Sequence, residues 1–263
     1  MASAAGRTLP VVTDAERAVA DLLPIEADPA AARHALERVP LWFHTFALNR
    51  EHGLYTPGLA RDHRYRVPFF PPSFANERVL DVGTFDGFYA FLAEHRGAAD
   101  VVAVDNEQYV AWVRARWGVE LLGGEGFATI AELLGSRVQY RRGDALALDG
   151  PPERFDVVLC FGILHRVENP LGLLRRLATL LAPGGRLLVE TYGVVSDGRL
   201  GAHTIEVQRP GGVYAGDEYV YWGFGAGGLG ALAQLAGLAT ARIDGTVVVD
   251  GHPRIIATLT RAS

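Results

Sequence analysis

The sequence predicts an α/β protein: a mostly parallel sheet with helices on both faces, closed by a terminal antiparallel hairpin and preceded by a helical arm. Three observations predict it. From residue 78 onward, short apolar runs alternate with helix-length segments, the pattern of parallel strands joined by helical crossovers. The run Arg78-Val-Leu-Asp-Val leads into a turn holding Gly83 and Gly87, and the next run, Val101-Val-Ala-Val, ends in Asp105. Near the C-terminus two β-rich runs flank Asp250-Gly251, a hairpin-turn signal.

In chain order, residues 1 to about 12 read as a loose terminus. Thr13-Asp-Ala-Glu16 has capping-box spacing and starts a helix that runs to about residue 23. Asp28-Pro29 caps a second helix over residues 30–39. Pro40-Leu-Trp-Phe-His44-Thr-Phe, Tyr55-Thr-Pro-Gly58 and a stretch with Pro68, Pro71 and Pro72 complete an arm and lid over residues 1–75. The cofactor domain follows over residues 76–263. Its strands are expected near 78–82, 100–104, 137–141, 155–160 and 185–191, and its helices near 87–96, 107–116, 126–135 and 168–182. Pro183-Gly-Gly185 ends the last of these helices. A polar, aromatic insertion over 192–223 precedes a helix near 225–237. Strands near 239–249 and 254–260 close the sheet.

Composition narrows the function classes. The chain has 263 residues and a formal net charge of -5, with no lysine, so all 25 basic residues are arginine. That excludes lysine as base, nucleophile or Schiff-base former. The acidic balance argues against a nucleic-acid partner, which favours a basic face. Arg61, Arg64 and Arg66 form one basic cluster, and Arg141 with Arg142 another; both read as solvated charge. Cys160 is the only cysteine and sits in an apolar run, so it reads as a buried small hydrophobe. A cytoplasmic location is expected, because no apolar run reaches membrane-spanning length and no signal-peptide segment is evident. A homodimer is left open.

A β-α-β unit with this acid and glycine pattern is suited to an adenosine-containing cofactor. Glycines let the backbone approach the ligand, and a carboxylate at the second strand's carboxyl end matches a ribose diol. Asp105 is therefore the leading ligand candidate, a helix cap being its other reading. Gly83 and Gly87 form the close-approach loop with Asp81, Thr84, Phe85 and Phe88. No His, Cys or Asp group has metal-ligand spacing, so no metal is expected.

With these residues the chain resembles class I S-adenosylmethionine (SAM) dependent methyltransferases, over roughly residues 78–260. Asp81-Val-Gly-Thr-Phe-Asp-Gly87 is similar to the family's first motif, and Asp105 to its ribose-binding acid. Gly143-Asp144-Ala145 is similar to the segment that meets adenine. Phe155-Asp-Val-Val-Leu is similar to the family's fourth strand, and Leu181-Ala-Pro-Gly-Gly-Arg-Leu-Leu-Val-Glu190 to the entry to its fifth. The resemblance implies the Rossmann-like methyltransferase sheet, SAM as cofactor and methyl transfer as the activity. Phe85 stands where a central glycine is usual. Trp42-Phe-His44-Thr and Phe161-Gly-Ile-Leu-His165-Arg further resemble a branch related to the transfer-RNA wobble-uridine carboxymethyltransferase. That branch's tyrosine before the His-Arg pair has no counterpart here, which favours ordinary methyl transfer.

The resemblance places Asp81, Gly83, Thr84, Phe85, Gly87, Phe88, Asp105, Asn106, Asp144, Ala145, Phe161 and Gly162 around SAM. His165, after the fourth strand, is the first candidate for a general base, and His44, in a segment similar to the family's cofactor-covering element, the second. The insertion supplies Tyr192, His203, Tyr219, Tyr221 and Trp222 as an acceptor wall, which suits an aromatic or apolar small molecule with a hydroxyl acceptor. Transfer to a wobble uridine and methylation coupled to cyclisation are the alternatives.

Overall fold

The computed structural model describes residues 11–60, 63–148, 154–195, 203–214 and 217–263. The arm starts with α1 (Asp14–Ala20) and α2 (Pro29–Arg38). Both caps form as the sequence predicts: Thr13 and Glu16 bond reciprocally, and Asp28 accepts from Ala30 and Ala31 N–H. α1 stops earlier than expected. Pro24 cannot continue a helix, and the amides of Ile25 and Ala27 bond instead to Ala47 and Leu48. The arm then adds elements the sequence did not announce: a short hairpin of β1 (Ala47–Asn49) and β2 (Leu54–Tyr55), and α3 (His63–Arg66).

The main sheet is built from β3 (Arg78–Val82), β4 (Asp100–Asp105), β5 (Gln139–Arg142), β6 (Phe155–Phe161), β7 (Leu181–Tyr192), β10 (Leu238–Val249) and β11 (His252–Arg261). Their spatial order is β10-β11-β7-β6-β3-β4-β5. The first five are parallel, and β11 pairs antiparallel with both β7 and β10. Asp250 and Gly251 both have positive φ, as a two-residue hairpin turn requires. Between the strands lie α4 (Phe88–His95), α5 (Gln108–Trp117), α6 (Glu125–Leu134), α7 (Pro170–Leu180) and α8 (Ala226–Leu235). The strand order reverses between β3 and β6, which places the switch point beside the first strand.

Two cores sandwich the sheet. One face packs β3, β4 and β6 on α4, α6 and the arm, with Leu23, Trp42, Phe46 and Phe74 joining Phe88 and Phe91. The other packs β6, β7 and β11 on α7 and α8, with Leu173, Leu177, Leu229 and Phe224 at its centre. The arm thus shares one hydrophobic core with the sheet. Cys160 is fully buried, and burial pushes its thiol up to about 12.

The insertion is less irregular than its sequence suggests. β8 (Ile205–Val207) pairs antiparallel with β9 (Trp222–Phe224). β8 is only three residues long and exposed throughout, too short for its Ile-Glu-Val alternation to mark a strand. Residues 196–202 and 215–216 of the insertion, the first ten residues of the expected loose terminus, and Arg61 lie outside the described residues. Arg64 is exposed, but Arg66 is buried, so the solvated-charge reading of that cluster fails at Arg66. Among the described residues no helix is long and apolar enough to cross a membrane.

Candidate active site

A cavity of about 370 Å³ opens at the carboxyl ends of β3, β4 and β6, where open α/β sheets bind ligands. The loop after β3 forms its floor. Gly83 has φ +78°, and a Cβ there would lie 2.2 Å from Ile163 Cδ1, so only glycine lets this loop pass so close. Phe85 has φ +54°, an uncommon conformation for a side chain of its size. Two contacts hold it: its amide donates to Asp105 Oδ2 at 2.9 Å, and its ring stacks on Phe43 at 4.1 Å.

Three buried carboxylates surround this loop. Burial raises Asp81 to about 6, against the opposing influence of the neighbouring Thr84 hydroxyl, the charge of Arg66 and the Ala90 amide. Its Oδ2 is buried with no hydrogen-bond partner, so the acid has an acceptor oxygen left over. Burial also lifts Asp105 well above the usual carboxylate range, and Asp81 and Asp86 push the same way. Tyr140 lies 3.5 Å from Asp105 Oδ2, at the limit of a hydrogen bond. Asp86 has a different task. Its Oδ2 accepts from the amides of Phe43 at 2.6 Å and His44 at 2.9 Å, which pins the arm to the loop. Burial raises Asp86 to about 7 despite those bonds.

Of the residues expected around the cofactor, the cavity is lined by Asp81, Gly83, Phe85, Asp105, Asn106, Asp144, Ala145, Phe161 and Gly162. Three expected residues are elsewhere. Gly87 is the N-cap of α4 with φ +87°, and a Cβ there would strike Phe91 and Phe127. Its glycine serves helix entry and packing. Phe88 is fully buried, its ring 4.0 Å from His63, so it belongs to the core. Thr84 is buried beside Asp81 and does not line the cavity.

The two histidines differ in what their rings can do. His165 borders the cavity but is fully buried. The Tyr192 amide donates to its Nδ1 at 3.3 Å, and Thr191 Oγ1 lies 3.2 Å from the same atom. A backbone amide can only donate, so Nδ1 is an acceptor and the neutral ring carries its proton on Nε2. Burial, then Arg254, Arg166 and Arg66, hold its pKa well below the ordinary value. The ring therefore has no free lone pair for a substrate proton, which corrects the expectation that it is the leading base. His44 also lines the cavity. Its Nδ1 is buried with no hydrogen-bond partner, and its ring sits 4.7 Å from that of His63. Burial, then His63 and Arg66, keep it neutral at ordinary pH.

The acceptor wall is also redrawn. Tyr219 lines the cavity, but Tyr192, His203, Tyr221 and Trp222 do not. His203 is exposed, and Trp222 Nε1 donates to Val167 O at 2.9 Å, fixing the insertion to the turn after β6. The missing wall comes from α5, whose Tyr109, Trp112 and Trp117 face the cavity with Phe43 and Phe85. Tyr109 and Trp112 are three residues apart just after Asp105, a one-face helical spacing visible in the sequence. Arg166 stacks over Trp112 at 5.1 Å and donates to the buried Asp217 at 2.8 Å. Arg66 and Arg254 line the cavity too, and both bond to Glu190, which is fully buried. Among the described residues no group of three His, Cys, Asp or Glu could hold a metal ion.

An acid-and-glycine cradle after the first parallel strand, an unpartnered acceptor oxygen beside it and a carboxylate after the second strand fit an adenosyl cofactor. This architecture defines an α/β protein that binds an adenosyl cofactor at the carboxyl edge of its sheet. The chain belongs to the methyltransferase domain family, whose model matches residues 54–239. It is a SAM-dependent methyltransferase. Its relatives include a ubiquinone biosynthesis O-methyltransferase of Stutzerimonas stutzeri, 28% identical over 66% of this chain and 69% of that one. A tRNA U34 carboxymethyltransferase of Trichodesmium erythraeum is 25% identical over 48% of this chain and 35% of that one. The fold is shared with the N-terminal domain of EvdMO1 with S-adenosylhomocysteine bound (TM-score 0.60, 20% identity, 89% and 96% of the two chains). It is shared too with the 1,6-didemethyltoxoflavin-N1-methyltransferase of Burkholderia thailandensis (TM-score 0.53, 22% identity, 90% and 80%).

Proposed function

We propose that the enzyme methylates a hydroxyl of an aromatic or apolar small molecule, with His44 as the base. The aromatic lining of the cavity by Phe43, Phe85, Tyr109 and Trp112 carries this reading. It offers flat apolar surface beside the cofactor floor, which suits a planar acceptor more than a polar one. The O-methyltransferase name of the Stutzerimonas relative agrees with it.

Bound SAM would supply the methyl group from a positively charged sulfonium, the S–CH3 bond breaking to release a neutral thioether as the O–CH3 bond forms, so the protein's task is alignment and deprotonation. Asp105 accepts the ribose hydroxyls while its other oxygen keeps Phe85 in place. Asp81 orients the methionine end through its unpartnered oxygen. Phe43 and Phe85 position the acceptor ring and exclude water. His44 is neutral at working pH, has no hydrogen-bond partner on its ring Nδ1, and takes the hydroxyl proton.

The test is S-adenosylhomocysteine release with a panel of phenols and aliphatic alcohols, run beside bulk transfer RNA. Turnover on a phenol that is at least tenfold lower in His44→Ala supports the proposal. Turnover on transfer RNA alone would replace it with the wobble-uridine reading, which the names of the carboxymethyltransferase relatives keep in view.

A further inference from the structure

The far wall of the cavity holds a group that methyl transfer does not require. Arg66 from α3 and Arg254 from β11 meet on Glu190 near the end of β7. The side chains are 7%, 5% and 0% exposed. The carboxylate is divided: Oε2 accepts from Arg66 Nε at 3.0 Å and Nη2 at 2.6 Å, and Oε1 accepts from Arg254 Nε. Arg254 therefore holds one carboxylate oxygen, although its planar fork can grip two. Its Nη1 donates to the Tyr214 hydroxyl at 2.6 Å, and no described residue accepts from Nη2. Both Arg254 and Tyr214 line the cavity.

Burying a guanidinium is costly unless each donor is satisfied. A fold that needed only packing here could use an apolar side chain, as β11 does at Ile255 and Ile256. Tyr214 accepts from Arg254, which leaves its own hydroxyl proton available to donate. A half-used guanidinium fork and a phenol donor facing one cavity match a planar anion. The acids that could oppose it are otherwise placed. Asp217 is paired to Arg166, and Asp250 is exposed in the hairpin turn.

We infer that the acceptor carries a carboxylate, seated on Arg254 Nη2 and the Tyr214 hydroxyl, with Glu190 and Arg66 as positioning residues. The inference rests on the small-molecule reading and adds a charge requirement to it. The carboxylate anchors the acceptor at this wall while its hydroxyl faces the cofactor floor.

The test is calorimetric titration of the S-adenosylhomocysteine-loaded enzyme with benzoate, benzamide and benzyl alcohol as probes. Benzoate should bind at least about tenfold more tightly than either neutral probe. Arg254→Lys keeps the buried charge but loses the fork, and should remove that preference while S-adenosylhomocysteine affinity stays unchanged. Tyr214→Phe should weaken benzoate about three- to tenfold and leave benzamide alone. Equal binding of the three probes by the wild type, or no binding of any, overturns the carboxylate subsite without need of a variant. So does a preference for benzoate that survives in both variants. Failure of the small-molecule reading looks different: transfer RNA is methylated and no phenol is, whatever the probes do.

Discussion

Replacement of Asp105 probes the link between fold and cofactor most directly. Its carboxylate is 4% exposed and already accepts the Phe85 amide at 2.9 Å. A ribose diol adds two hydrogen bonds to a charged acceptor, each worth about 1.5–3 kcal/mol. Asp105→Ala should therefore weaken S-adenosylhomocysteine binding by about 3–6 kcal/mol, roughly 10²- to 10⁴-fold in Kd. Asp105→Asn keeps one acceptor oxygen and should lose about half of that free energy. Stability should respond differently. Burial and the neighbouring Asp81 and Asp86 disfavour the charged form of Asp105, so the neutral amide relieves that cost. The Asn variant without ligand should melt at or above the wild-type temperature. Calorimetric titration and a thermal melt read the two effects separately. A Kd within about threefold of wild type in Asp105→Ala, with the melt intact, would refute the ribose assignment.

Gly83→Ala should weaken S-adenosylhomocysteine binding by at least about tenfold, because the new Cβ meets Ile163 at 2.2 Å in a left-handed backbone; titration checks it. His44→Ala should lower kcat by about 10²-fold or more with little change in cofactor Kd. Because the His44 pKa is lowered, its acid limb in the wild-type pH–rate profile should fall below pH 6.5. Asp86 is raised from 3.8 to about 7, so the native state holds the extra proton between those values, and its contribution to stability is lost as pH rises through about 7. Asp86→Asn should flatten that slope in denaturant melts between pH 5 and 8. Asp86→Ala, which strands the Phe43 and His44 amides, should cost about 2–4 kcal/mol.

The cofactor half was legible because its signals are local. Asp81, Gly83 and Asp105 lie within 25 residues, and a strand ending in an acid before a glycine turn needs no distant partner. The terminal hairpin was legible for the same reason, its two-residue turn spelling its own backbone. Gly87 and Phe88 share that segment but serve the helix cap and the core, a difference set by which way each position faces after the turn. The far side of the cavity was not legible, because its wall comes from α3, α5, β11 and the insertion. Nothing in the spacing of Arg66, Glu190 and Arg254 says that they meet.

The sequence by itself determined the order of the main sheet's strands and of the helices between them, the glycine cradle and the acid that follows the second strand, since each is fixed by neighbours a few residues away. Only the tertiary structure decided that the Tyr192 amide occupies His165 Nδ1 while His44 Nδ1 has no partner, where the arm is pinned by Asp86, and which aromatic rings line the cavity. Those depend on hydrogen bonds such as Tyr192 N–H to His165 Nδ1, and on pairings across 64 and 124 residues of chain at Glu190. Contacts of that separation form only when the sheet has closed and both cores have packed.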